Sequence, residues 1–149
     1  MSAFGLVAFF LIVTLPLLVA AVVPARSRLV VWTVVVVAAV VPWIGWTDHA
    51  HWDRIQWVPF SGVYRLRDVV LNVLFYVPIG VFYVQRRPGR ARAVVEATLY
   101  GLALSALTEF SQVFSHGRFP SVTDLVTNVA GAWLGAWTSV TVRRRVRRT

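Results

Sequence analysis

The sequence contains no cysteine and no lysine, and only six of its 149 residues are acidic. Without cysteine, the chain can form neither disulfides nor thiolate metal sites. Without lysine, arginine at any one position carries little information about the geometry of a ligand. The sequence also has no phosphate-binding glycine loop, nucleophile elbow or haem motif. We therefore expect no cofactor and no bound metal.

What the chain has in abundance is apolar residues: 58% are hydrophobic, 14% are charged, and the mean hydropathy is +0.68. This composition predicts a single integral membrane domain, all-α, built as a polytopic transmembrane helical bundle. Five stretches are close to the roughly 20 residues that cross a hydrocarbon core. They are residues 3–23, 29–46, 69–85, 93–114 and 122–142. The second and third stretches are short, so four spans with one interfacial helix is the alternative.

The first stretch also has to be distinguished from a signal peptide. Val23, Pro24 and Ala25 loosely resemble a cleavage site. No positive charge precedes the stretch, however, and its apolar run is longer than that of a usual signal peptide. We therefore interpret it as a transmembrane helix.

The placement of the arginines predicts the orientation in the membrane. If the N-terminus is outside, eleven of the fifteen arginines fall in segments on the inside and four fall outside. Positive charge concentrates on the cytoplasmic side, which predicts an N-outside, C-inside topology. The tail at residues 143–149 is then expected to contact anionic lipid headgroups, and nucleic-acid binding is not expected. The predicted organisation is two helices and an outer loop (1–56), a core (57–142) and the tail.

Two predicted spans share a polar pattern at their external ends. In each, an asparagine follows an aspartate by four residues, which stacks carboxylate and amide on one helix face. The four residues are Asp68 and Asn72 in the third span, and Asp124 and Asn128 in the fifth. This short internal repeat suggests related helices that run in the same direction. In the fifth span the face continues through Gly131 and Gly135, a spacing that lets another helix approach closely.

The fourth predicted span carries a matching polar stripe. Its members, three or four residues apart, are Ser105, Thr108, Glu109 and Gln112. A carboxylate at the bilayer centre costs about 2.5 to 3.5 kcal/mol, so Glu109 is expected to face the protein interior. Arg118 of the next loop, or Arg65 or Arg67, is expected to compensate its charge. The sequence therefore predicts a polar pocket that opens outward, lined by Asp68, Asn72, Glu109, Gln112, Arg118, Asp124 and Asn128.

An ordered set of motifs lies within residues 57–140: Pro59 and Phe60, Asp68 with "NVLFYVPIG", Ser105 with Glu109 and Gln112, and "GRFPSVTDLVTNVAGAWLG". Together these motifs resemble the VanZ-like family of small bacterial membrane proteins. The resemblance maps the family's Glu and Gln to positions 109 and 112, and its Arg, Asp and Asn to positions 118, 124 and 128. One departure is Ser121, where many members carry a further aspartate.

The resemblance implies a multi-pass protein of the bacterial plasma membrane. The founding member of the family is associated with low-level resistance to teicoplanin-type glycopeptides, independently of the peptidoglycan-precursor enzymes of its resistance cluster. A biochemical activity does not follow from that association, because function depends on the site and not on the fold.

Three hypotheses fit such a pocket. In the first, which we favour, Arg118 of an envelope protein binds an anionic headgroup or a cell-wall intermediate, and Glu109, Asp124 and Asn128 orient it. In the second, the residues form only an interhelical hydrogen-bond network. In the third, an enzyme acts on a lipid-linked substrate through a carboxylate, or through a divalent cation held by Asp68, Glu109 and Asp124. A transporter is less expected, because five short spans leave little room for two gated halves.

The segment "TDHAHWD" (47–53) has two further interpretations. Its histidines and aspartates could form a metal site, but His49 and His51 share a face only on a strand, so a solvated loop is favoured.

Tryptophans cluster around the same loop and predict an interfacial aromatic belt. They are Trp43, Trp46, Trp52 and Trp57. In the third span, Pro78 is expected to free a carbonyl one turn earlier.

Overall fold

A computed structural model describes residues 3–41, 45–61, 66–87 and 92–146 of the chain, with side chains from residue 13 onward. The all-α prediction is confirmed: these ranges contain five α-helices, one short 3₁₀ helix and no strand. The α-helices are α1 (Ala3–Val22), α2 (Ala25–Val40), α3 (Leu66–Arg86), α4 (Ala93–Gln112) and α5 (Val122–Val146). Trp43, Arg65 and residues 147–149 of the tail lie outside the described ranges.

The helix boundaries follow local chemistry. Pro24 separates α1 from α2 and precedes the first residue of α2, where a proline does not disturb the helical hydrogen bonds. At the other end of α2, Val41 has an extended backbone, so the helix is shorter than residues 29–46 would give. The backbone N–H groups of Val113, Phe114 and Ser115 bond three residues back, which makes a tight turn after α4. The predicted range for α4, which ends at residue 114, is therefore two residues too long.

Helices α3 and α5 pack against each other at backbone distance and run in the same direction. A Cβ atom built on Gly131 would lie 2.2 Å from the carbonyl oxygen of Val73, and one on Gly135 would lie 2.0 Å from that of Val77. The numbers of the contacting residues increase together along both helices, so the two helices are parallel. Gly80 of α3 makes the reciprocal approach to α5. Only glycine leaves room for these contacts.

The largest fully buried side chains lie where α2 packs on α3. Trp32, Tyr76 and Ile79 are within the core. The indole Nε1 of Trp32 donates to the carbonyl oxygen of Phe75 at 3.1 Å. This carbonyl lies one residue beyond the one that Pro78 leaves without its helical donor. The Trp32 bond therefore ties α2 to the segment of α3 that contains the proline.

Two loops are joined by backbone hydrogen bonds on one side of the bundle. The segment 45–61, between α2 and α3, bonds to the segment 113–121, between α4 and α5. The N–H of Gln56 donates to the carbonyl oxygen of Pro120 at 2.9 Å, and its own carbonyl oxygen accepts from the N–H of Val122 at 3.0 Å. Further along, the N–H of Thr47 donates to Phe114 at 2.9 Å. The C-terminal ends of α2 and α4 and the N-terminal end of α5 therefore meet on one side.

Two helices of the described ranges are long and apolar enough to cross a membrane, by length and composition. They are α3, with a mean hydropathy of 1.5 over its most apolar window, and α4, with 1.3. Large apolar side chains are exposed along both helices, including Leu66 of α3 and Leu99, Leu107 and Phe110 of α4. These exposed surfaces are typical of helices in contact with lipid.

The backbone approach between α3 and α5 generates a prediction about stability. The substitution Gly131→Ala places a methyl group against the Val73 carbonyl, so the helices must separate, at a cost of about 1 to 3 kcal/mol. We expect the detergent-solubilised variant to unfold at a lower temperature than the wild type, measured by thermal scanning with size-exclusion chromatography. Gly117→Ala is the control, because its Cβ would meet nothing within 4 Å. Equal stability of the two variants would show that the helices do not depend on this contact.

Candidate functional site

Four of the seven predicted site residues lie in or beside the first turns of α3 and α5 and the last turn of α4. The α5 end is organised by Ser121, whose Oγ accepts from the N–H of Thr123 at 3.1 Å. This is an N-cap, and serine is among the preferred capping residues. Aspartate, which many members of the resembled family carry at this position, is an equally good capping residue. Ser121 therefore preserves this start of the helix. Asp124 follows in the first turn, where a negative charge is favoured by the helix dipole.

The two halves of the repeat contact each other directly. Asn72 Nδ2 of α3 donates to Asp124 Oδ1 of α5 at 2.7 Å. Asp68 is exposed and pairs with the neighbouring Arg67 at 3.1 Å. Its charge still acts on Asp124. The amide of one repeat unit thus binds the acid of the other, and the first acid faces outward.

Glu109 links α4 to the beginning of α5. Its carboxylate Oε2 accepts the backbone N–H of Ser121 at 2.8 Å, and the residue is only 8% exposed. The Ser121 amide precedes a helix N-terminus, where a carboxylate is stabilised by the unpaired N–H groups and the dipole. A buried carboxylate that accepts such a bond holds the two helices together.

Arg118 lies at the surface beside these acids. It interacts electrostatically with both Glu109 and Asp124. Its side chain is exposed and forms no hydrogen bond or ion pair with the part of the chain that the structure describes. A guanidinium in this position can bind an anionic group from outside while the two acids influence its orientation.

A second buried layer lies one helical turn below Glu109. Asn128 Nδ2 donates to Ser105 Oγ at 3.0 Å, and the hydroxyl groups of Tyr76 and Thr108 are 3.4 Å apart. Asn128 Oδ1 is buried and has no hydrogen-bond partner among the described residues. Sequence reasoning missed Tyr76 as a member of this cluster. Its position four residues after Asn72, on the same helix face, was the available indication.

The remaining predicted residues are Gln112 and the histidines and aspartates considered for a metal site. Gln112 is buried on α4, and its side chain makes no hydrogen bond to the described residues. Within the described ranges, no group of three or more histidine, aspartate or glutamate side chains could hold a metal ion. Asp48 and His49 of the outer loop are exposed, and the rings of His51 and His116 have their centroids 5.7 Å apart.

A cleft of about 230 Å³ adjoins Glu109 on the outer surface of α4 and α5. Its walls come from α4, from the first turns of α5 and from the outer loop. Glu109 is the one charged residue of its lining, and the other lining side chains are apolar apart from Ser121 and the two indoles. They are Trp52, Ile55, Trp57, Ala106, Phe110, Val113, Pro120, Ser121, Val122 and Leu125. Sequence reasoning placed the tryptophans in an interfacial belt and did not predict this cleft.

Comparison with known families finds a match over most of the chain. The family described as VanZ/LLP1 matches residues 17–143, from within α1 to the last turns of α5. The match agrees with the resemblance that the sequence motifs carry, and it extends further toward the N-terminus than those motifs. Neither the curated proteins nor the solved structures include a match to this chain.

The contact between the repeat units generates a prediction for a double-mutant cycle. Asn72→Ala, Asp124→Ala and the double variant should show a coupling of about 0.6 kcal/mol, and at most ~1.7, the range of interhelical hydrogen bonds in membranes. The measurement is the free energy of unfolding in mixed micelles. The control cycle pairs Asp68→Ala with Arg67→Ala, an exposed ion pair whose coupling of roughly 0.2 to 1 kcal/mol should be lost at high salt, whereas the Asn72–Asp124 coupling should remain. Zero coupling between Asn72 and Asp124 would contradict the observed contact.

Proposed function

The chain belongs to the VanZ/LLP1 family, and from this membership we propose that it is a multi-pass protein of the bacterial plasma membrane that binds an anionic headgroup. The ligand class is an anionic membrane lipid or a lipid-linked cell-wall intermediate. Through that binding, the protein affects susceptibility to glycopeptides. The observation that carries the proposal is the exposed guanidinium of Arg118, which has no partner in the described residues and lies beside two acids.

The proposed membrane arrangement has five spans, with the N-terminus outside. The helices have 20, 16, 21, 20 and 25 residues. All are near the length needed to cross the hydrocarbon core except α2, the shortest. The excess of arginines in the segments assigned to the inside supports the orientation. In this arrangement the joined loops 45–61 and 113–121 face the outside, and Arg118 is accessible from there.

Each acid of the site has its own donor, so none of them depends on Arg118 as a hydrogen-bond partner. Asp124 accepts from the amide of Asn72, Glu109 accepts from the N–H of Ser121, and Asp68 pairs with Arg67. Arg118 is the charged member that is left without a hydrogen bond among the described residues. Guanidinium forms paired hydrogen bonds to phosphate and carboxylate groups, both of which occur on envelope lipids and their intermediates.

A structural role is the second candidate function, and a specific observation favours it. Asn72, Glu109 and Asn128 all bond between segments: to α5, to the start of α5 and to α4, respectively. A protein that needed these polar groups only for helix association would have the same bonds. It would have no requirement for Arg118, which takes no part in them.

The topology can be tested by thiol labelling, since the chain has no cysteine of its own. We expect a cysteine introduced by Arg118→Cys to react with a membrane-impermeant maleimide in intact cells. A cysteine introduced by Arg144→Cys, at the other end of α5, should react only after the cells are permeabilised. Reaction of both from the same side, or of Arg118→Cys only after permeabilisation, would reject the proposed orientation.

The headgroup proposal can be tested by titrating the purified protein in zwitterionic detergent with phosphatidylglycerol and with phosphatidylcholine. The readout is tryptophan fluorescence, because Trp52 and Trp57 are near the site. Loss of one charge-assisted contact of about 1.5 to 3 kcal/mol should weaken phosphatidylglycerol binding by roughly 10- to 100-fold in Arg118→Ala. The matched control is Arg92→Ala, an exposed arginine at the opposite end of α4 from Glu109, which should leave the affinity unchanged.

The two candidate functions give different outcomes in cells. Expressed in a teicoplanin-susceptible bacterium, the wild type is expected to raise the inhibitory concentration, and Arg118→Ala should abolish the increase at an unchanged membrane level. If Arg118→Ala behaves as the wild type in both assays, while Asp124→Asn fails to assemble, the structural function is supported and headgroup binding is rejected.

A further inference from the structure

The cleft beside Glu109 differs in chemistry from the Arg118 surface. Its lining is apolar apart from one buried carboxylate, one serine and the indole nitrogens. An anionic headgroup placed in it would lose its hydration and gain no cationic partner, since Arg118 is not part of the lining. The occupant that this surface suits is therefore a hydrocarbon group.

The open side of the cleft lies on an exposed apolar surface. Ala106 and Phe110 of α4 are exposed and belong to its wall, and Leu102 and Leu107 continue the exposed surface along the same helix. In the five-span arrangement this surface is in contact with lipid tails. A chain can therefore enter sideways from the bilayer without crossing water.

The rim of the cleft is formed by two tryptophans. Trp52 is 54% exposed and Trp57 is 69% exposed, and the Trp52 ring lies against Phe110, with centroids 6.1 Å apart. Indoles favour the boundary between headgroups and acyl chains. The cleft thus lies at the depth where a lipid's polar and apolar parts join, and Arg118 is only two residues before the lining residue Pro120.

We propose that this cleft holds part of one hydrocarbon chain of a membrane lipid, whose anionic headgroup lies at Arg118. The inference rests on the proposed headgroup function and extends it to the lipid's apolar portion. A volume of about 230 Å³ is smaller than that of sites for whole drug-sized molecules, about 300 to 1,000 Å³. It accommodates a segment of one chain. The ligand is accordingly an amphiphile, bound at its headgroup and at the first part of a tail.

The test uses photo-crosslinking in lipid nanodiscs that contain a phospholipid with a diazirine in its acyl chain. Adducts are mapped by mass spectrometry in two head-group forms, phosphatidylglycerol and phosphatidylcholine. In the wild type, Phe110 and Leu125 in the cleft should carry more adduct than Leu99, which is exposed on α4 outside it. Equal labelling at these positions indicates ordinary bilayer contact and overturns the inference. This comparison requires no variant.

A matched pair of substitutions gives the second measurement. Ala106→Trp fills the cleft, and Ala103→Trp adds the same side chain at an exposed position of α4 outside the lining. Adducts at Leu125 should fall about tenfold in Ala106→Trp, the factor expected when roughly two buried methylene groups lose their site. They should be unchanged in Ala103→Trp. Undiminished labelling in Ala106→Trp, or crosslinks between two copies of the chain in place of lipid adducts, would contradict the proposal.

The variant Arg118→Ala separates this inference from the headgroup function. If cleft labelling is strong for both head groups and Arg118→Ala does not alter it, the cleft binds a chain and the proposed headgroup site is wrong. If Arg118→Ala removes a preference for phosphatidylglycerol while Phe110 and Leu99 label equally, the headgroup function stands and the cleft proposal is wrong.

Discussion

The backbone approach of α3 and α5 determines how the polar residues of this protein meet. Glycine at positions 131 and 135 allows the carbonyl oxygens of α3 to lie where a Cβ atom would otherwise be. A larger residue would separate the helices and change their rotation relative to each other. The first turn of α5 would then no longer present Asp124 to Asn72. The position of Ser121, and with it the bond from its N–H to Glu109 of α4, follows from the same placement.

Much of the helical organisation is predictable from hydropathy and from proline and glycine positions. Three of the five predicted ranges, those of α1, α3 and α4, agree with the helices to within three residues at both ends, and α5 begins at its predicted residue but runs four residues longer. Apolar runs of this length have few alternative structures in a hydrocarbon environment. The exception is the segment after Val40. Its extended backbone leads into a loop whose N–H groups bond to residues 113–121. Backbone bonds between loops do not depend on side-chain type, so neither hydropathy nor periodicity could reveal them.

The sequence predicts which helix face carries each polar residue of the site, but it does not predict which residues bond to each other. The four-residue spacing indicates that Asp68 and Asn72 share a face, as do Asp124 and Asn128. It does not indicate the rotation of one helix against another, which decides that Asn72 meets Asp124 and that Asn128 meets Ser105 of α4. For the same reason Tyr76 was missed, although it belongs to the Asn72 face. Side-chain identity gives the face, and close packing selects the partner.

The hydrogen-bond partners of the polar residues also change which residues a function should be assigned to. Sequence reasoning gives weight to the acids, because a carboxylate in a membrane span is costly unless something compensates it. Here the compensation for Glu109 and Asp124 comes from within the protein, through a backbone N–H and a side-chain amide. Neither acid therefore requires a ligand. The exposed guanidinium of Arg118 and the apolar cleft lined by Trp52 and Trp57 have no such internal explanation.

Both features involve Glu109, which lines the cleft and interacts electrostatically with Arg118, and together they have the polarity of a membrane lipid. A cation at the surface suits an anionic headgroup, and an apolar recess rimmed by indoles suits the beginning of a hydrocarbon chain. Glu109 lines the cleft, Asp124 lies in the first turn of α5, and the hydrogen bonds of the two acids join α4 and α3 to the start of α5. On this view, the interhelical bonds and the binding surface are not competing explanations of the same residues. The buried polar groups fix the relative position of α4 and α5, and that position determines the spacing between Arg118 and the cleft.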